Sequence, residues 1–450
     1  AMASSTITAL ASVPRGACAR KPVRYELSAA EREAAASADR REDDGRSATV
    51  VEPIEGLPRE LWFQGDSPAT IIGGVNDDAD DDELMGEAMS SDDGSDAADV
   101  EITPSDAVLL AGRTDDDWSA LEVHVYDDQT GSLYTHHDLA LAAFPLAVEW
   151  LRLPSSSSEQ EGDPKTTNSY VAVGTFDTAI EIWNLDVLDA LEPTATLGTP
   201  GKKKKKTSQT PKKKKTHTDA VTTLAWNRAS TNTLASGSAD STVRLWDLQT
   251  ATCASTWDVV AATESTPSRV EACRWHPREA AALASGGEDR RVTLRDCRAK
   301  DSANVYAREA APIEALAWNP VAAAALVAAC DDGALVGYDV RGGPSAPALF
   351  RVAHGTKAVS TIAFNDDGLL ASASYDKAVK LWDGRSSSAT PSPALVASKE
   401  MGVGKLFALT FDEGDPYLLA VGGSKGLLAL WDTTENDEVA AFKASTTGAS

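Results

Sequence analysis

The chain has 450 residues, 42% of them hydrophobic, and carries a formal net charge of −26. This apolar content is enough for a large core, but no stretch approaches the roughly 18 uninterrupted apolar residues of a membrane-spanning helix. No continuous apolar region follows a basic start, so we expect no secretory signal. Five cysteines without a CxxC pair fit buried thiols in a reducing compartment, and no His/Cys cluster has metal-ligand spacing.

The first predicted element lies in residues 1–24. Its segment Ile7–Val13 (ITALASV) is similar to Val221–Trp226 (VTTLAW), which has the pattern of an inner strand in a later repeat unit. The first repeat unit begins near residue 102, and its own start is poorly suited to a strand. We therefore predict that residues 1–24 supply this strand and close the repeats into a ring, because an open sheet edge would otherwise be exposed.

Residues 25–101 form the second predicted region. Ser28 and Glu31 make a capping box, which predicts a short helix to about Arg41. Twelve residues from Asn76 to Glu101 are acidic and almost none is large and apolar, so this arm is predicted to be partly disordered. Ser90 precedes an acidic run and is a candidate phosphorylation site; the alternative is a solvated tail without a switch.

Residues 102–445 contain seven repeat units. Each unit ends in a short apolar run closed by an aromatic residue or its substitute, at positions 126, 183, 246, 295, 338, 382 and 431. A second aromatic residue precedes six of these positions, at 150, 226, 275, 318, 364 and 411. Between the two aromatic residues, small-residue strands such as LASGSAD end in a turn acid, which is typical of a β-hairpin. Four strands per unit, arranged radially, predict an all-β, seven-bladed propeller.

The polar residues of two units follow one pattern. It places a histidine before the first strand, a serine in the second, an aspartate in the turn and a tryptophan at the end: His217, Ser236, Asp240 and Trp246, then His354, Ser372, Asp376 and Trp382. These residues resemble the WD-repeat family, in which such a set is hydrogen-bonded and buried. The resemblance implies that both histidines are structural, since a buried turn must satisfy its polar groups internally.

A lysine-rich loop is predicted at 199–216, between the second and third units. It contains nine lysines in two runs: Lys202, Lys203, Lys204, Lys205, Lys206, Lys212, Lys213, Lys214 and Lys215. Such a bipartite basic run is typical of nuclear localisation or of a nucleic-acid-binding patch. No aromatic residue interrupts it, so the stacking of single-stranded bases is not indicated. The two alternative interpretations are that the loop binds RNA and that it serves nuclear targeting alone.

Three units end in Asp-x-Arg, at Asp296, Asp339 and Asp383. Some members of the WD-repeat family use this motif to dock on a cullin ubiquitin-ligase adaptor; alternatively, each arginine pairs with the aspartate of a neighbouring turn. The sequence contains no GxSxG, HExxH or P-loop motif and no GxGxxG in a strand–helix setting. We therefore predict a protein that is not an enzyme and uses neither a metal nor a cofactor.

The blade sequences narrow the resemblance within the WD-repeat family. The segment LEVHVYDDQTGSLYTHHD, the exits Asn184–Asp186 and Leu191–Pro193, and the lysine-rich loop are similar to a eukaryotic group of ribosome-biogenesis factors. That resemblance implies a scaffold in the nucleus and nucleolus that binds pre-60S assembly factors, ribosomal proteins and pre-rRNA, as a monomer within a larger complex. Histone and chromatin binding is implied for some relatives. The alternatives are a substrate receptor of a cullin ligase and a histone-tail-binding factor.

Overall fold

The structure is a computed structural model, and it describes residues 5–25, 101–116, 118–153, 168–198, 216–259, 268–299, 304–344, 346–385 and 392–447. These residues belong to one compact unit, formed by residues 1–25 and 98–450. The predicted helix at 28–41, the acidic segment up to residue 100 with Ser90, and the nine lysines lie outside the described residues.

The described strands form seven antiparallel sheets, which are the blades of a propeller. From the innermost strand outward, blade 1 contains β1 (Thr6–Val13), β3 (Ala107–Thr114), β4 (Ser119–Asp127) and β5 (Ser132–Leu141). Blade 2 contains β6 (Pro145–Leu153), β7 (Asn168–Thr175), β8 (Ile180–Asn184) and β10 (Ala195–Leu197). Blade 3 contains β11 (Val221–Trp226), β12 (Thr233–Ser238), β13 (Thr242–Asp247) and β14 (Thr252–Asp258). A short parallel pair joins β2 (Val23–Arg24) to β9 (Val187–Leu188).

The next three blades repeat the four-stranded pattern. Blade 4 contains β15 (Val270–Trp275), β16 (Ala282–Gly287), β17 (Arg291–Asp296) and β18 (Asn304–Arg308). Blade 5 contains β19 (Ile313–Trp318), β20 (Ala325–Cys330), β21 (Ala334–Asp339) and β22 (Phe350–Ala353). Blade 6 contains β23 (Val359–Phe364), β24 (Leu369–Ser374), β25 (Ala378–Asp383) and β26 (Ala394–Glu400).

Blade 7 departs from the four strands predicted for every unit. It contains three strands, β27 (Leu406–Phe411), β28 (Leu418–Gly423) and β29 (Leu428–Asp432). After β29 the chain forms a 3-10 turn, Thr433–Glu435, and then helix α1 (Asp437–Thr447). Asp437 and Glu438 in the first turn of α1 complement the positive end of the helix dipole. The prediction of four strands was therefore wrong for this blade in the part of the chain that is described.

The innermost strands contact one another in a closed circuit. In order, they are β1, β6, β11, β15, β19, β23 and β27, and β27 returns to β1. The second strands are buried along almost their whole length, as in β24, because each blade packs against a neighbour on both faces. Their small Ala, Ser and Gly residues let adjacent sheets approach closely. The seven-bladed propeller predicted from the sequence is confirmed.

Strand β1 is the inner strand of blade 1 and lies at the ring seam. It pairs antiparallel with β3, for example Leu10 with Ala111. Its Ile7 is 1% exposed and packs so closely on Gly422 of blade 7 that a Cβ atom there would collide with Ile7 Cγ2. Ordinary blade junctions use the same contact, since a Cβ on Gly237 would lie 2.6 Å from Val270 Cγ1. The seam therefore closes with the same kind of glycine contact that joins blade 3 to blade 4.

A polar cluster also links the amino-terminal segment to blade 7. Ser12 Oγ donates to Asp412 Oδ1 at 3.0 Å, and Arg15 Nε donates to Asp412 Oδ2 at 3.0 Å. The Glu413 amide donates in turn to Ser12 Oγ at 3.1 Å. Asp412 is 3% exposed, so these partners supply hydrogen bonds that water cannot provide at this position. The cluster specifies where β1 docks, beyond the apolar contact of Ile7.

Candidate interaction surfaces

The His–Ser–Asp–Trp set of blade 3 forms one connected hydrogen-bond network. His217 Nδ1 lies 3.1 Å from Asp240 Oδ2, and His217 Nε2 lies 2.7 Å from Ser236 Oγ. Trp246 Nε1 donates to the same Ser236 Oγ at 2.8 Å. Because burial lowers the pKa of His217 despite its bond to Asp240, the ring is neutral. Nδ1–H then donates to the carboxylate, and Ser236 donates to Nε2.

Blade 6 builds a related set with the imidazole ring turned the other way. His354 Nδ1 lies 2.7 Å from Ser372 Oγ, which also accepts from Trp382 Nε1 at 2.8 Å. His354 Nε2 lies 3.6 Å from Asp376 Oδ1, beyond hydrogen-bonding distance. Burial lowers the pKa of His354 to about 4. This histidine is therefore neutral near pH 7. Its Nε2 has no hydrogen-bond partner in the part of the chain that the structure describes.

Both networks are structural. The order Asp–His–Ser in blade 3 has the connectivity of a hydrolase triad. However, Ser236 and Ser372 are each 0% exposed, so no substrate reaches either hydroxyl. Each hydroxyl also accepts a tryptophan N–H, which ties the end of the third strand to the second. The sets explain how the blades hold together rather than what they bind.

Replacing Ser236 with alanine should lower the free energy of unfolding by about 1–3 kcal/mol, since it leaves a buried His217 nitrogen and the Trp246 N–H without a partner. Urea denaturation followed by tryptophan fluorescence measures the change. Ser132→Ala, at an exposed position of β5, is the matched control and should change the value by less than about 0.5 kcal/mol. Equal effects of the two substitutions would contradict a structural network at Ser236.

The lysine-rich loop leaves and rejoins the propeller at nearly one point. Gly198, the last described residue before it, has φ +86°, a conformation that favours glycine. A Cβ on Gly198 would lie 3.0 Å from Trp246 Cη2 and 3.6 Å from Thr216 Cβ, and Thr216 is the first described residue after the loop. Because His217 then bonds Asp240, both loop ends are anchored on the polar network of blade 3.

One entrance of the central channel is acidic on blades 4 and 5. Glu271 and Glu314 are each the second residue of an inner strand, at a register shift in the pairing. Burial and repulsion from Glu271 and Asp331 raise the pKa of Glu314 to about 7. The equivalent positions of blades 1, 3 and 6 carry hydroxyls that bridge to the next blade, as when Ser360 Oγ donates to Leu406 O at 2.8 Å. The two glutamates therefore depart from this bridging pattern.

Aromatic side chains lie beside this acidic entrance. Tyr375, at the turn of blade 6, is 36% exposed and packs edge-on against Phe407 with ring centroids 5.6 Å apart. Burial, followed by the charges of Glu314 and Asp331, raises the pKa of Tyr375. The entrance thus combines carboxylates with an exposed aromatic ring, which is a chemistry suited to cations.

The opposite entrance has mixed charge. Arg228, after β11, forms an ion pair with Glu413, after β27, and so connects blade 3 with blade 7. Glu149 of blade 2 accepts the Trp226 amide at 3.1 Å, and burial raises the pKa of its carboxyl. Arg274 opposes that rise by its positive charge. The negative charges at this end of the channel are therefore balanced by arginines, unlike those at the acidic end.

The Asp-x-Arg arginines pair with the aspartate of their own motif. Arg298 donates Nη2 to Asp296 at 2.8 Å, and Arg341 makes the same contact with Asp339 at 2.6 Å. Both arginine side chains are more than three-quarters exposed. Arg385 is less accessible, because its guanidinium lies 3.6 Å from the centre of the Phe442 ring of α1. The interpretation that each arginine pairs with the aspartate of a neighbouring turn was therefore wrong.

The described residues contain no group of three or more His, Cys, Asp or Glu side chains that could hold a metal ion. All five cysteines are free thiols. Burial raises the pKa of Cys273 and Cys330 to about 12, so neither is a ready thiolate. Within the described ranges, no helix has the length and apolar character needed to cross a membrane.

Comparison with known proteins supports the repeat assignment. The family model described as "WD domain, G-beta repeat" matches residues 209–247 and 348–383, which contain the two polar networks. Among solved structures, a chain of the "Crystal Structure of Mitotic Checkpoint Complex" superposes with a TM-score of 0.52 at 17% identity, covering 72% of this chain and 86% of that one. At this identity the likeness shows the fold alone.

Three curated relatives are each 31% identical to the chain. An uncharacterised WD repeat-containing protein of Schizosaccharomyces pombe aligns over 76% of this chain and 64% of its own length. Periodic tryptophan protein 1 of Saccharomyces cerevisiae aligns over 76% and 65%, so the chain spans just under two thirds of both proteins. The periodic tryptophan protein 1 homolog of Drosophila melanogaster aligns over 74% of this chain and 69% of its own length. The chain therefore belongs to the periodic tryptophan protein 1 family of WD-repeat proteins.

Proposed function

We propose that this chain is a non-enzymatic nucleolar scaffold that assembles large-subunit pre-ribosomal particles and supports the production and processing of rRNA. The observation that carries the proposal is the insertion of nine lysines at a single point of a chain whose net charge is −26. Its membership of the periodic tryptophan protein 1 family and its resemblance to ribosome-biogenesis factors support the same role.

The charge distribution suggests that such a scaffold binds RNA and proteins through different parts of the chain. A strongly acidic protein repels phosphate over most of its surface, so RNA is attracted at the lysine-rich loop and excluded elsewhere. Lysines bind phosphates without reading sequence, and the affinity falls steeply with salt. The acidic arm and the acidic channel entrance are left to bind basic ribosomal proteins and assembly factors. The protein then acts as a monomer within a larger particle.

Purification of the full-length tagged chain from nuclear extract tests this role. We expect pre-60S assembly factors, ribosomal proteins and pre-rRNA to copurify. Recovery of a cullin adaptor in their place would favour a ligase receptor docked through the exposed Arg298 and Arg341. Recovery of nucleosomes would favour a chromatin factor. Either of these outcomes, without pre-60S components, overturns the proposal.

Changing all nine loop lysines to glutamine should reduce crosslinking to pre-rRNA at least about tenfold at physiological salt, because each lost phosphate contact weakens binding. Ultraviolet crosslinking in cells, with RNA recovered from the purified protein, measures the change. The nine-arginine variant keeps the charge and is the matched control. Undiminished crosslinking and nucleolar location in the glutamine variant would contradict the proposal.

A targeting role and an RNA-binding role of the loop can be separated. A heterologous nuclear import signal fused to the glutamine variant restores entry into the nucleus without restoring phosphate contacts. If the loop binds RNA, crosslinking should stay low in this fusion. If crosslinking returns to the wild-type level, the loop serves targeting alone.

The acidic channel entrance favours a second candidate, which is the binding of basic tails, those of histones included. Glu271 and Glu314 lie beside the exposed ring of Tyr375, and a lysine entering there would meet both carboxylate and aromatic surface. A bound cation would also favour the charged form of Glu314. The nuclear purification described for the first candidate distinguishes the two through the presence of nucleosomes.

A further inference from the structure

Among the described strands, none pairs with the outer edge of blade 7. Its third strand, β29 (Leu428–Asp432), is hydrogen-bonded only to β28 among the described strands, whereas the third strand of each other blade also pairs with a fourth. The chain does not turn back along β29, since it enters the 3-10 turn at Thr433–Glu435 and then α1. In α1, Val439 and Phe442 pack in the apolar cluster around Trp431, near the end of β29.

The alternation of hydrogen-bonded positions along β29 shows which of its backbone N–H and C=O groups do not bond to β28. The Thr433 amide donates to the Tyr417 carbonyl at 3.0 Å, next to the paired residues Asp432 and Leu418. Because hydrogen-bonded positions alternate along an antiparallel pair, Trp431 and Ala429 direct their N–H and C=O groups to β28. Leu428 and Leu430 direct theirs outward, where six other blades place a fourth strand.

The side chains on this edge are also less buried than those of the corresponding strand in blade 6. Leu428 and Leu430 are both partly exposed. The corresponding residues of blade 6, Val379 and Leu381, are 0% exposed, and they pair with Lys399 and Ala397 of the fourth strand β26. An unpaired edge that also leaves apolar side chains partly uncovered is a template for another strand.

We propose that an extended segment of another protein completes blade 7 by pairing antiparallel along Leu428–Asp432. The fourth strands of the other blades show what this partner provides: about five extended residues whose alternate side chains cover Leu428 and Leu430, as Lys399 and Ala397 pair with Val379 and Leu381 in blade 6. Main-chain hydrogen bonds supply the affinity, and the two leucines select the register. The inference does not depend on the role of the lysine-rich loop.

Hydrogen exchange of the full-length chain tests the open edge directly. We expect the amides of Leu428 and Leu430 to exchange at least about tenfold faster than those of Val379 and Leu381, because only the latter lie between two strands. Equally slow exchange at both pairs in dilute protein overturns the proposal. Slow exchange that appears with rising protein concentration, together with a dimer in sedimentation, would instead assign the edge to a second copy of this chain and also overturn it.

A peptide copy of β26, Ala394–Glu400, serves as the probe for the occupant. At millimolar concentration it should protect the amides of Leu428 and Leu430. N-methylation of the peptide at the residues equivalent to Ala397 and Lys399, which face the third strand in blade 6, should weaken binding about tenfold, since two hydrogen bonds are lost. Methylation at Ser398 and Glu400 is the matched control and should change affinity less than about twofold. No protection by the peptide, or equal effects of the two methylation patterns, overturns the proposal.

Discussion

Deleting residues 1–15 should lower the free energy of unfolding by more than about 5 kcal/mol and the melting temperature by at least about 5 °C. The deletion removes β1, whose Ile7 and Val13 are 1% and 0% exposed, and burial of two such side chains contributes about 3–6 kcal/mol. It also exposes the edge of β3 and leaves the buried carboxylate of Asp412 without Ser12 and Arg15. Differential scanning calorimetry of the full chain and the deletion measures the loss.

Restoring the strand in trans provides the control for this deletion. A synthetic peptide of residues 5–15 should raise the melting temperature of the truncated chain, because it supplies the apolar contacts and the partners of Asp412. A scrambled peptide of the same composition should not. An unchanged melting temperature on deletion would show that β1 does not hold the ring closed.

The second large effect is a loss of stability in mild acid. His354 has a pKa of about 4 in the folded chain because it is buried, whereas an unfolded histidine titrates near pH 6.5. Between these values the unfolded chain binds a proton that the folded chain does not. The free energy of unfolding therefore falls as pH decreases from 6.5 to 4, by roughly 3 kcal/mol from this group alone. Burial lowers the pKa of His217 as well, so this group further reduces the free energy of unfolding as pH decreases.

Chemical denaturation at a series of pH values checks this prediction. The stability of the wild-type chain should fall from pH 6.5 to 4. The His354→Gln variant is less stable at pH 7, but its curve should fall less steeply over that interval, since it lacks the titrating group. Above pH 7 the two curves should run parallel, which serves as the internal control. Parallel curves over the whole range would mean that His354 is not held neutral in the folded chain.

The two polar networks illustrate what repeat spacing can and cannot predict. The positions of His217, Ser236, Asp240 and Trp246 followed from the repeat, and the structure brings all four into contact. The reversed ring of His354, which leaves Nε2 3.6 Å from Asp376, did not follow from it. The serine, aspartate and tryptophan have the same spacing in both units, whereas the histidine precedes the serine by 19 positions in blade 3 and by 18 in blade 6. The orientation of each ring also depends on the surrounding packing, which the repeat pattern does not describe.

The acidic channel entrance had no sequence signal strong enough to identify it. Glu271 and Glu314 are separated by 43 positions, and each alone looks like an ordinary strand residue. They face each other's charge only because consecutive inner strands are neighbours around the ring. The two glutamates stand out only when the second residues of all inner strands are compared. Most blades carry a hydroxyl or an apolar residue at that position.

The number of blades, the polar sets of blades 3 and 6 and the inserted lysines could all be predicted from the order of residues along the chain. The blades and their polar sets recur along the chain, and the lysines form two continuous runs, so the order and spacing of residues reveal them. The folded structure was needed to show how Ile7 packs on Gly422 at the seam and which carboxylates share the channel entrance. It was also needed to show that blade 7 ends in a helix instead of a fourth strand. Those features depend on contacts between segments far apart in the chain, and such contacts arise when the ring closes.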